Sequence, residues 1–116
     1  HDSATRLAAV LTAVGCPWIR VGLDPAALIM SGVNPLATVE QLGPQVALVH
    51  VRDALRGHPD RPGQETRVGE GEVDLRGLLS ALAEMEYQHP LILRRTDSSS
   101  PASDLSAARE FIRRMM

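Results

Sequence analysis

Val46-Ala47-Leu48-Val49-His50-Val51-Arg52-Asp53 constrains the fold more than any other stretch. It is an unbroken apolar run that ends in charged and imidazole side chains. A run of this kind suits a strand buried on both faces, as in a parallel sheet. Strict alternation puts Val46, Leu48, His50 and Arg52 on one face, and Ala47, Val49, Val51 and Asp53 on the other. Ligand sites of parallel α/β folds lie at the carboxyl ends of the strands, where this run turns polar. On these residues alone, His50 fits either a structurally hydrogen-bonded buried histidine or a member of such a site.

The flanking sequence supplies the helices that a parallel sheet needs. Leu7, Val10, Leu11 and Val14 recur at helical spacing, with Asp2 or Ser3 as cap and Gly15 and Pro17 as the stop. Residues 18–24 read as a strand with Ile19, Val21 and Leu23 on one face. Asp24 then lies at its carboxyl end, where Asp24-Pro25 fits a turn as well as a ligand position. Asn34-Pro35 starts a second helix with the apolar stripe Leu36, Val39 and Leu42. Residues 54–72 read as a long irregular loop with Glu65, Glu70 and Glu72 as solvated charges, and the glycines of Val68-Gly69-Glu70-Gly71-Glu72 permit a tight turn. Asp74 caps a third helix through Leu75, Leu78, Leu79 and Leu82. Leu91-Ile92-Leu93 is a short strand ending in Arg94-Arg95, and Ser100-Pro101 opens a last helix with Leu105, Ala108, Ile112 and Met115 inward. The expected fold is therefore α/β, with three parallel strands alternating with four helices and right-handed crossovers. Three strands leave two open edges, which points to part of a larger α/β object.

Composition removes several functions. All 12 basic residues are Arg, so a Schiff-base lysine, a Walker-type phosphate lysine and a lysine general base are excluded within this chain. A net charge of -2 gives no electrostatic footprint for nucleic acid. No apolar run approaches the roughly 20 residues that span a bilayer, and no signal-peptide pattern opens the chain. The lone Cys16 fits a reducing, cytoplasmic compartment. At 116 residues the chain is expected to form a single domain.

The order and spacing of Val21-Gly22-Leu23-Asp24-Pro25, Leu48-Val49-His50-Val51-Arg52-Asp53 and Val68-Gly69-Glu70-Gly71-Glu72-Val73-Asp74 carry a resemblance over nearly the whole chain. Tyr87 and the Arg94-Arg95 pair add to it. The chain resembles the C-terminal portion of the AP-endonuclease/xylose-isomerase-like (β/α)8 barrels, which include sugar-phosphate isomerases and epimerases. The resemblance implies a partial TIM barrel over residues 1–116 and a sugar or sugar-phosphate substrate. It also implies a divalent metal (Mn, Mg, Co or Zn) at the barrel mouth, with Asp24 and His50 as ligands. It implies that Asp53 orients the mouth and that Arg52 contacts a substrate oxygen or phosphate.

Three positions depart from the family pattern. A His often found three residues after the strand-six Asp is Ala27 here. The strand-eight Glu ligand is Arg94, which repels a cation, and the strand-five Glu would fall just before His1. Lacking these ligands and both proton-transfer carboxylates, this chain alone is expected to be inactive. The alternative reading is a non-catalytic barrel that holds a sugar phosphate or other anion through Arg94 and Arg52. In one form of it, two copies close into a half-barrel homodimer.

Overall fold

The computed structural model describes residues 3–16 and 18–116. His1, Asp2 and Pro17, with the capping and stop signals read from them, lie outside the described residues. In chain order the elements are α1 (Ser3–Val14), β1 (Val21–Leu23), α2 (Pro25–Met30), α3 (Pro35–Leu42), β2 (Val46–Val51), β3 (Asp53–Leu55), β4 (Gln64–Thr66), α4 (Leu75–Glu84), β5 (Leu91–Leu93) and α5 (Pro101–Met115). A 3-10 turn (Gly43–Gln45) joins α3 to β2.

The sheet order is β1-β2-β5, with both pairings parallel and the long apolar strand β2 in the middle. Its buried face carries Val21, Leu23, Val49 and Val51, packed with Ile29, Val39, Leu42, Leu78 and Leu82 of the helices. The opposite face is open: Gly22 is exposed, Leu48 and His50 are half-buried, and Ile92 is 40% exposed. A parallel sheet with one bare face and two unpaired edges has the form of an arc of barrel wall, with the bare face turned to the barrel interior.

Alternation along β2 is broken once. Val21 pairs with Val46, but the next residue, Gly22, pairs with Leu48, so Ala47 is an extra residue on β2. The bulge resets the pleat, and Val46 joins Val49 and Val51 on the buried side instead of sharing a face with Leu48 and His50. Arg52 and Asp53 are both buried, at 8% and 1% exposure, because β2 ends at Val51 and a new strand starts at Asp53.

Local capping chemistry starts the helices. Asn34 Oδ1 accepts from the Leu36 and Ala37 amides with Pro35 at the first helical position, and Asp74 Oδ1 accepts from the Gly77 amide. Asp24-Pro25 opens the additional short helix α2, since Asp24 Oδ1 accepts from the Ala27 amide. The strand expected from residue 18 is confined to Val21–Leu23, and Trp18 and Ile19 are exposed at 89% and 48%. The stripe of α1 is mostly uncovered, with Leu7, Val10 and Val14 exposed and Leu11 half-buried. No helix among the described residues is long and apolar enough to cross a membrane.

The stretch expected to be irregular contains the antiparallel hairpin β3–β4, in which Ala54 faces Glu65. Asp53 holds the segment that follows it. Its carboxylate accepts from the amides of Gly69 and Gly71 at 2.9 and 3.0 Å and of Val73 at 3.0 Å. The Gly-x-Gly spacing follows from that arrangement. Gly69 has φ +96°, and a Cβ on Gly71 would run into the Asp53 carboxylate and the Ala54 backbone. Removing the acceptor strands these three amides and that of Ala54, which donates to Oδ1 at 2.9 Å. Asp53→Ala is expected to lose on the order of 3 kcal/mol or more in urea unfolding, with faster hydrogen exchange at Gly69, Gly71 and Val73. Unchanged exchange at these amides would refute the anchoring role.

Candidate functional site

The carboxyl ends of the three parallel strands bring the sequence-derived candidates to one rim. Asp24 follows β1, His50 stands near the end of β2 with Arg52 just past it, and Arg94 follows β5. Their environments differ sharply.

Arg52 uses all three guanidinium nitrogens inside the protein. Nη1 donates to Asp24 Oδ2 at 2.6 Å, Nε to Glu65 Oε2 at 2.9 Å, and Nη2 to Thr96 Oγ1 at 3.2 Å. Burial would lower its pKa, but the bonds to Glu65 and Asp24 outweigh that and raise it. Asp24 is thus occupied on both oxygens, with Arg52 on Oδ2 and the α2 cap on Oδ1.

Glu65, expected to be a solvated loop charge, is instead 7% exposed and binds the rim together. It sits on β4, opposite Ala54 of β3, so the hairpin turns its carboxylate inward. Oε1 accepts from the Thr96 amide and hydroxyl at 3.1 and 2.9 Å and from the Asp97 amide at 2.7 Å. Arg95 Nη1 is 2.9 Å from the same oxygen, within ion-pair reach but out of line for a hydrogen bond. Arg95 Nε pairs with Asp104 Oδ2 at 2.9 Å, and Arg67 Nε lies 3.3 Å from Asp104 Oδ1. Bonds from Ser98 and Arg95 lower the Asp104 pKa. The chain of charges Asp24, Arg52, Glu65, Arg95, Asp104, Arg67 alternates in sign, and the exposed Glu70 continues it 3.8 Å from Arg67. The only local hint of Glu65 in the sequence is its place in Gln64-Glu65-Thr66, a short stretch with no apolar alternation.

His50 and Arg94 are outside this network. His50 Nδ1 is buried without a hydrogen-bond partner, which leaves Nε2 as the ring nitrogen with solvent access. His50 pairs in register with Ile92, and Arg94 follows two residues further along β5, beside the open face. The Arg94 side chain is exposed and has no hydrogen bond or ion pair among the described residues. Glu70 and Glu72 are exposed, as expected, Glu70 beside Arg67 and Glu72 accepting from the Arg56 amide.

These residues do not fit a metal centre by themselves. Asp24 is neutralised by Arg52, Arg94 is a cation, and no group of three or more His, Cys, Asp or Glu side chains is clustered for a metal among the described residues.

An arc of parallel strands with its polar side chains at their carboxyl ends defines part of a parallel α/β barrel and its mouth. The chain belongs to the xylose isomerase-like TIM barrel family, which it matches over residues 1–115. Among solved structures it is similar to a xylose isomerase domain protein from Planctomyces limnophilus, with 29% identity and a TM-score of 0.89 over 98% of this chain and 43% of that one. It is also similar to a D-allulose 3-epimerase from Methylomonas sp. in complex with D-allulose (20% identity, TM-score 0.72, 99% of this chain and 43% of that one). An L-ribulose 3-epimerase has 19% identity and a TM-score of 0.69, over 98% of this chain and 41% of that one. At these identities the two epimerases establish a shared fold. No curated protein matches the chain. The chain spans less than half the length of each of these structures.

Glu65 ties acid stability to one group. Burial alone would raise its pKa, but the Asp97 amide, Arg52 and Thr96 overcome this and bring it from 4.5 to about 2. A depressed carboxylate contributes stability that is complete above its unfolded pKa and lost as pH falls through the folded one. With the side chain 4% exposed, that contribution is on the order of 3 kcal/mol. Denaturant unfolding from pH 6 down to pH 2 should show stability falling between about 4.5 and 2. Glu65→Gln should be less stable at pH 6 and should lack this part of the slope. An identical slope in the variant would exclude Glu65 as its source.

Proposed function

We propose that Asp24, His50 and Arg94 line the mouth of a sugar-binding barrel of the isomerase/epimerase type, with a sugar or sugar phosphate as ligand. The observation that carries this reading is the convergence of a carboxylate, an imidazole and a guanidinium at the ends of three adjacent strands. It occurs in a fold shared with an epimerase solved with D-allulose bound. Each residue has a distinct part. Arg94 supplies a free donor fork, His50 supplies a ring nitrogen open to the mouth, and Arg52 orients Asp24 from behind while offsetting its charge. Proton transfer between neighbouring sugar carbons uses free carboxylates, and the carboxylates at these strand ends are held by Arg52 and Arg95. Conversion therefore requires the remaining strands of the barrel, which close the free edges of β1 and β5. Those strands come from further βα units or from a second copy of this chain.

Titration calorimetry of the protein with neutral ketoses and their phosphates tests the reading. Saturable binding of at least one is expected, weakened about tenfold in His50→Ala, the scale of one lost hydrogen bond. No binding across the panel would overturn it.

The unpartnered ring nitrogens of His50 favour a second reading, in which His50 and Asp24 join ligands from elsewhere in the barrel to hold a divalent metal. Under that reading Mn²⁺ affinity falls in both Asp24→Ala and His50→Ala. Equal affinity in both variants and the parent sequence would remove it.

A further inference from the structure

We infer that the mouth recognises an oxyanion on the sugar, a phosphate or a carboxylate, through Arg94 and His50. The charge there is thus the reverse of the one a metal-binding mouth requires. The inference rests on the sugar-binding reading and deepens it by naming the ligand's charge.

The first argument is charge pairing. Three carboxylates (Asp24, Glu65 and Asp104) alternate with three guanidiniums (Arg52, Arg95 and Arg67), and the exposed Glu70 adds a further carboxylate 3.8 Å from Arg67. Asp53 is occupied by backbone amides. Asp97 is exposed on the loop after β5, and its amide, not its side chain, enters the network. Arg94 is left as a cation beside the open face with no partner among the described residues. A planar guanidinium with its fork free matches a phosphate or carboxylate bidentately.

The second argument is register. Ile92 pairs with His50, so Arg94, two residues on, is a diagonal neighbour of His50 across the parallel pair. Strand spacing and rise put such positions roughly 8 Å apart, within reach of an extended arginine. One ligand group can therefore touch both side chains.

The third argument is the imidazole itself. Nδ1 is sealed without an acceptor or donor, while Nε2 has access to the open face. His50 thus stands on the open face one strand away from the Arg94 cation. The Arg94 charge attracts an oxyanion to this face and opposes a metal ion.

The test is calorimetry of the protein in the presence of EDTA with D-allulose, D-allulose 6-phosphate, D-gluconate and inorganic phosphate. Arg94 is exposed and unpaired, so Arg94→Gln and Arg94→Lys should fold normally, and thermal melts check this. At least one charged sugar should bind about tenfold or more tighter than D-allulose, with the preference lost in Arg94→Gln and largely kept in Arg94→Lys. Preference for the 6-phosphate assigns phosphate as the recognised group, and preference for gluconate assigns carboxylate. Arg94→Glu should abolish the preference and, in a separate EDTA-free titration, raise Mn²⁺ affinity. Equal binding of neutral and charged sugars, or a preference that survives Arg94→Gln, overturns the inference and leaves the sugar reading standing. Arg94-dependent binding of inorganic phosphate with no sugar bound would support the oxyanion site and refute the sugar reading. Absence of all binding refutes both.

Discussion

A carboxylate taken out of water must gather donors or give up its charge, and Glu65 gathers them from two separate parts of the chain. Arg52 comes from the end of β2, and Thr96, Asp97 and Arg95 come from the segment after β5. The hairpin that carries Glu65 is therefore bolted to two of the three strand ends, and through Arg52 to the third at Asp24. A short hairpin on its own is marginal in water. Here its strands are only three residues each, and the buried charge cluster supplies what backbone pairing cannot. Desolvation of its members offsets part of their attraction, and the remainder fixes the hairpin against the strand ends.

The sheet divides the labour of the rim by its two faces. Val21, Leu23, Val49 and Val51 fill the side covered by helices, and this fixes how far the strands reach and where they end. The bare side carries His50, with Arg94 beyond Ile92, so these polar groups are placed by the same pleat that packs the core. The bulge at Ala47 matters to this division. It lets Val46 and Val49 both point into the core while His50 keeps the opposite side. Without the extra residue, burying Val46 would carry His50 into the core with it.

Local chemistry was legible from residues and distant chemistry was not. Asn34-Pro35, Asp74 and the apolar run of β2 are signals written within a few positions, and each sits where its pattern implies. Asp24-Pro25 fits a turn and a ligand position equally in sequence, and the bond from the Ala27 amide makes it a helix cap. The β2 bulge depends on cross-strand register with β1, which no window along one strand contains. Glu65 was invisible for the same reason, since its donors are 13 residues before it and 31 and 32 after it. At the rim, Asp24, His50, Arg52 and Arg94 were readable as strand-end residues, but not the fact that Arg52 spends its whole donor set on its neighbours.

Asp24 and Asp53 show why that expenditure matters. Both are acidic residues near strand ends, and both are satisfied, but by different donors. Asp53 is held by the amides of Gly69, Gly71 and Val73, which are neutral and use up no cation. Asp24 takes Arg52, which Glu65 already holds in place. Had Asp24 taken Arg94 instead, the rim would present two closed ion pairs and no free charge. β2 lies beside β1 and β5 does not, so Glu65 holds Arg52 next to Asp24 while Arg94, two strands away, has no partner among the described residues.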